Sequence, residues 1–180
     1  MNKITVNNTT IEILINDIVS TDSDAIVIPT NSKLLPSGTL RCKVLRGAGS
    51  KVQVECNKII QQISNIPLGK AVITSGGNLK TKYIIHTRAG HDKKKLMLST
   101  WNALKLADQK QIRSISFPPL SMDVIIFNAQ ICAEIILSTI KKYLSETNSN
   151  IRNIMVYLET LPDYKDFERI LEKLNPELSM

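Results

Sequence analysis

Glycine is scarce in this chain, with seven in 180 residues, and the stretch "FPPLSMDVIIFN" (117–128) has none. A strand-like run, "SISFP", delivers the chain into that stretch, where many α/β proteins place glycines so that backbone N–H groups close around a phosphate. Met122, Asp123, Val124, Ile125 and Ile126 stand there instead. Only Gly38 gives the backbone close access to an anion in the loop "TNSKLLPSGTLRCK". A preformed, glycine-dense phosphate cradle is therefore missing, and residue chemistry alone leaves a phosphate site open. Cysteine is sparse too: Cys42, Cys56 and Cys132 are an odd number without metal-ligand spacing, which fits reduced thiols and predicts no metal site. No apolar run approaches the roughly 20 residues that cross a bilayer, and "MNKITVNNTT" lacks the apolar stretch of a signal peptide. The expectation is a soluble protein, cytoplasmic or nuclear, without a membrane partner.

What the chain does have is enough apolar residue, 43%, for one sizeable core, and a single domain over 1–180 is the expectation. Lys and Arg total 23 against 16 Asp and Glu, a net charge of +7. That surplus favours phosphate-bearing partners. Lysines occur along the whole chain, so a solvated basic surface and a nucleic-acid patch both stay open.

The apolar pattern alternates between two periods. "TTIEILIN" alternates apolar and polar residues as a half-buried strand does, and "AIVIP" is a continuous apolar run suited to a central strand. "KAVIT", "KYIIHT", "SISFP" and "NIMVYLE" supply four further strands rich in β-branched residues. Between them, Val52, Cys56, Ile59, Ile60 and Ile63 share one helical face behind "GAGS", with Ser50 as the expected N-cap. Met97, Trp101 and Leu104 form a second stripe, Cys132, Ile136, Ile140 and Tyr143 a third, and Phe167, Ile170, Leu171 and Leu174 a fourth. Strands alternating with helices predict a three-layer α/β/α domain around a central mixed, mostly parallel sheet. Ligands of such sheets collect at the C-terminal strand ends.

The order of these pieces resembles the macrodomain family, the ADP-ribose-binding module. The matching stretches are "NDI" (16–18), "DAIVIPTN" (24–31), "GAGSKVQVEC" (47–56), "GKAVITSGGNL" (69–79), "KYIIHT" (82–87), "WNALKLA" (101–107) and "RSISFPPLS" (113–121). The resemblance implies that Asp17 hydrogen-bonds an adenine amino group with Ile18 contributing backbone, and that Asn31 holds the distal ribose. It also implies that the family's three glycines correspond to Ser37, Gly38 and Thr39, and that the second diphosphate loop corresponds to Ser121 through Ile126. Of that loop's pattern only Ser121 is kept. Asp123, Val124, Ile125 and Ile126 take ligand-lining positions with a negative charge and β-branched backbones that resist a nest of N–H groups.

Several residues carry two readings. Asp17 also suits a turn, and Asn31 also suits a loop that bonds its own backbone. Arg41 and Lys43 bring side-chain cations toward a phosphate on one reading and form a solvated helix face on the other. Arg41 stands where the family's hydrolases carry an acidic or water-positioning residue. His86, inside "YIIHT", is expected in the core, and His91 in a solvated loop. The resulting expectation is a weak binding module for ADP-ribose or a related adenine nucleotide, free or on an ADP-ribosylated protein, with no resident cofactor and no catalytic residue. An RNA-binding module and a protein-interaction scaffold are the alternatives, ahead of an ADP-ribosyl hydrolase.

Overall fold

A computed structural model describes residues 1–120 and 127–175. Among them, seven strands run β1 (Lys3–Val6), β2 (Thr9–Ile15), β3 (Ala25–Pro29), β4 (Ala71–Ser75), β5 (Tyr83–Thr87), β6 (Ser114–Phe117) and β7 (Asn153–Leu158). The helices are α1 (Thr39–Ala48), α2 (Ser50–Ile63), α3 (Lys93–Gln109), α4 (Ala129–Glu146) and α5 (Leu161–Leu174). The strands form one sheet in the order β1-β2-β7-β6-β3-β5-β4. β2, β7, β6, β3 and β5 are parallel, and the two outermost strands, β1 and β4, pair antiparallel.

Burial follows from the strand sequences. β2 reads alternately buried and half-buried, whereas every residue of β3 except Pro29 is buried, because β3 lies centrally with helices on both faces. Ile26 and Ile28 of β3 join Ile84, Val44, Val52 and Cys56 in a core beneath α1 and α2. Ala25 and Val27 point the other way, into the core that β1, β2, β6 and β7 share with α3, α4 and α5. The architecture is the three-layer α/β/α arrangement that the pattern predicts.

Three helix details differ from expectation. α2 is capped by Gly49 without a side-chain hydrogen bond, and Ser50 is its first helical residue. Along α2, Val52 and Cys56 are buried but Ile63 is 46% exposed: the apolar stripe outlasts the surface it covers. On α3 the buried face is Leu96, Ser99, Thr100, Ala103, Leu104 and Ala107, while Met97 faces solvent. Small residues let this helix lie close to the sheet, with Ser99 Oγ donating to Arg88 O at 3.0 Å. The stripe read from large side chains was therefore turned by about one residue.

Candidate functional site

The parallel strands end on one side of the sheet in a cleft of about 830 Å³, within the roughly 300–1,000 Å³ common for small-molecule sites. From β3 the chain proceeds through the edge strand β4 to β5 on one side, and from β6 it proceeds to β7 on the other, so the crevice opens where the winding reverses. Its walls come from Asn16 and Ile18 after β2, Thr30 and Asn31 after β3, Arg88 and His91 after β5, Pro118 to Leu120 after β6, and Tyr157 and Glu159 at the end of β7.

α1 points its N-terminus at this cleft, where Thr39 and Leu40 form part of the wall. Gly38 precedes the helix with φ 66, a conformation that glycine adopts without penalty, and no side chain caps the first turn. The leading N–H groups and the positive end of the helix dipole thus favour an anion here. The opposite wall has the reverse character. Thr160 caps α5, accepting from Asp163 N–H at 3.3 Å, and Asp163 and Glu159 line the cleft beside Tyr157. The cleft is therefore polarised, with donors at α1 and carboxylates at α5.

Asn31 is saturated within its own loop. Its Nδ2 donates to Leu35 O at 2.8 Å and Ser37 Oγ at 2.9 Å, and its Oδ1 accepts from the N–H groups of Lys33 and Leu35, both at 3.1 Å. The loop-residue reading describes this state, and the side chain also forms part of the cleft wall. Asp17 sits at the rim, between the wall residues Asn16 and Ile18. Its carboxylate accepts from Lys43 Nζ at 2.5 Å and from Val19 N–H at 3.0 Å, and the Lys43 bond, then the Val19 bond, hold its pKa below the usual carboxylate range. Lys43 is thereby engaged with Asp17 at the protein surface.

Arg41 is not on the cleft wall, contrary to the expectation that its guanidinium meets a phosphate. It is 1% exposed, turned under the 31–37 loop. Nε donates to Leu35 O at 2.9 Å, one terminal nitrogen to Leu34 O at 2.9 Å, and the other to His86 Nδ1 at 2.8 Å. Arginine only donates, so His86 Nδ1 must accept and its proton resides on Nε2, directed to Thr74 Oγ1 at 2.9 Å. Burial first, and the Arg41 charge second, push the His86 pKa well below its ordinary value; burial also lowers that of Arg41. His86 is a core histidine, as its apolar strand predicts, and the arginine that braces the loop is a role the sequence reading did not assign.

Cys56 and Cys132 are fully buried, and burial pushes the Cys132 thiol up to about 12. Among the described residues no cluster of His, Cys, Asp or Glu gathers to hold a metal, and no helix is long and apolar enough to cross a membrane. Ser121, Asp123, Val124, Ile125 and Ile126 lie outside the described residues. Tyr157 lines the cleft and donates to Thr21 Oγ1 at 3.1 Å.

The chain is thus a three-layer α/β domain with a cleft polarised at its switch point. The Macro domain profile matches residues 27–136, and the chain belongs to that family. It is 38% identical over 143 residues to a macro domain-containing protein of Listeria monocytogenes, covering 76% of this chain and 81% of that one. It is also 38% identical over 154 residues to a protein-ADP-ribose hydrolase of Staphylococcus aureus, covering 76% of this chain and 57% of the hydrolase. Among solved structures, a mutant of the Oceanobacillus iheyensis macrodomain with ADPR superposes with a TM-score of 0.90 at 28% identity, covering 96% of this chain and 97% of that one.

Proposed function

We propose that the cleft binds ADP-ribose or a related adenine nucleotide, free or attached to a protein, as a recognition module rather than a hydrolase, and weakly. The observation that carries this reading is the cleft's polarity: uncapped N–H groups at α1 suit a diphosphate, while Asp17 and the α5 side offer acceptors to an adenine amino group. The macrodomain neighbour with ADPR supports the ligand class. Weakness is supported by two observations. Asn31 must release four internal hydrogen bonds to meet a ribose, and the 121–126 sequence has no glycine for a second diphosphate nest. Binding without hydrolysis is supported by Arg41, which occupies the position where the family's hydrolases hold an acidic or water-positioning group and whose buried cation offers no base. A cytoplasmic or nuclear location suits such a ligand.

Titration of labelled protein with ADP-ribose, followed by amide NMR, tests the site. The expected shifts concentrate at Ile18, Asn31, Thr39 and Leu40. Shifts confined to residues outside the cleft, or none at millimolar ligand, contradict the proposal.

A further inference from the structure

The net charge of +7 conceals a large asymmetry that the fold makes spatial. Residues 31–113 hold 16 of the 23 basic residues and 3 of the 16 acidic ones, a net of +13, so the remainder of the chain carries −6. Residues 31–113 build α1, α2, β4, β5 and α3, one end of the sheet, of which β4 is the edge strand. The acidic remainder builds β1, β2, β7, α4 and α5 at the other end and the central strands β3 and β6 between.

The three acids within the basic end are all committed elsewhere. Glu55 accepts from Ser75 N–H at 2.8 Å and from its hydroxyl. Asp92 caps α3. Asp108 accepts from Tyr143 Oη at 2.6 Å, from Ser149 and from Asn150 N–H. Among the described residues the only ion pair of this end joins Lys43 to Asp17 at the cleft rim. Among the described residues the exposed lysines around β4 form no close ion pair: Lys51 and Lys58 on α2, whose charges act on Glu55 between them, Lys80 and Lys82 in the β4–β5 connection, and Lys105 on α3. Lys82 N–H bonds Asp24 O just ahead of β3, so this cluster lies toward the strand starts, away from the cleft.

We infer that this edge binds the sugar–phosphate backbone of a duplex nucleic acid, independently of base sequence and of the cleft. The residue chemistry selects that partner. Residues 31–113 contain two aromatics, Tyr83 and Trp101, both half-buried, and Trp101 packs edge-on against Tyr143 at 4.9 Å. Apart from His91 on the cleft wall, this end thus has no exposed ring on which unpaired bases stack, and no Trp or Tyr free to anchor in a membrane interface. What remains is a field of ammonium groups, which reads phosphates without reading bases, while the acidic end repels a polyanion and orients the approach.

Fluorescence anisotropy with the full chain and 20-base-pair RNA and DNA duplexes tests the inference. Both duplexes should bind in 50 mM salt, and about six neutralised phosphates should weaken binding roughly a thousandfold between 50 and 200 mM salt. Combined Lys51→Glu, Lys58→Glu, Lys80→Glu and Lys82→Glu substitution should cut affinity at least fiftyfold. A Lys80→Gln/Lys82→Gln pair in the turn should lower it severalfold with an unchanged melting temperature. Saturating ADP-ribose should leave duplex affinity unchanged, which separates this surface from the cleft whatever the cleft binds. No binding in 50 mM salt, displacement by ADP-ribose, preference for single strands, indifference to the lysine substitutions, or binding to vesicles with 30% anionic lipid in place of duplex would each overturn it.

Discussion

Replacing Arg41 with methionine removes a buried cation while nearly preserving its volume, and the outcome separates two opposed effects. The wild-type side chain supplies three hydrogen bonds, to Leu34 O, Leu35 O and His86 Nδ1. In the variant Leu34 O retains Gln53 Nε2 at 3.3 Å. Leu35 O likewise retains Asn31 Nδ2 at 2.8 Å, so His86 Nδ1 is the acceptor left without a donor. That one orphaned buried acceptor costs about 1–3 kcal/mol, against which the desolvation of the guanidinium is recovered. We expect a net loss of about 1–2 kcal/mol, or roughly 2–8 °C in melting temperature for a domain of this size, together with faster amide exchange at Leu34 and Leu35. Leu34 has φ 56, so the loop holds a conformation costly for leucine and should relax when the brace is cut. Urea unfolding followed by circular dichroism measures the loss. An Arg41→Met protein as stable as wild type would refute the reasoning, because desolvation of the cation would then equal everything its hydrogen bonds contribute.

His86 makes the fold pH-dependent. Neutral in the folded state and titrating near 6.5 when unfolded, it binds more protons unfolded, so its stabilisation is present above pH 6.5 and falls as pH drops from there toward its folded pKa. The slope is at most about 1.4 kcal/mol per pH unit, and denaturant titrations at pH 7, 6 and 5 should show a smaller decline for His86→Gln than for wild type. Asp17→Ala should change stability by under about 1 kcal/mol, since its Lys43 pair is half-exposed, yet abolish most ADP-ribose binding; calorimetry with unchanged affinity would place adenine elsewhere. Gly77→Ala should destabilise by more than about 2 kcal/mol, because the added methyl would lie 2.1 Å from Ala48 O at a residue with φ 57; a wild-type melting temperature contradicts that geometry.

The scaffold was legible because burial on both faces writes itself as "AIVIP" and burial on one face as "TTIEILI". α4 was legible for the same reason: Cys132, Ile136, Ile140 and Tyr143 are all buried. α3 was misread because its inner face is made of Ser99, Thr100, Ala103 and Ala107, and small residues carry little hydropathy signal even where close packing selects them. β1 escaped because four residues pairing at an edge give too short an alternation. The site was less legible than the scaffold. Arg41 reads as a surface cation until the fold supplies two loop carbonyls and a strand histidine around it, and no local pattern announces that. The +13 segregation is present in a running charge count, but only sheet order turns it into a surface.

The central claim is weak recognition of an adenine nucleotide by the polarised cleft, and calorimetric titration of the full chain with ADP-ribose tests it most directly. The account predicts measurable heat with a dissociation constant poorer than tens of micromolar, corresponding to less than about 7 kcal/mol of binding free energy, and no release of ADP-ribose from a modified protein. A sub-micromolar constant would contradict the weakness inferred from Asn31 and the glycine-free 121–126 sequence, and no heat at millimolar ligand would contradict recognition itself.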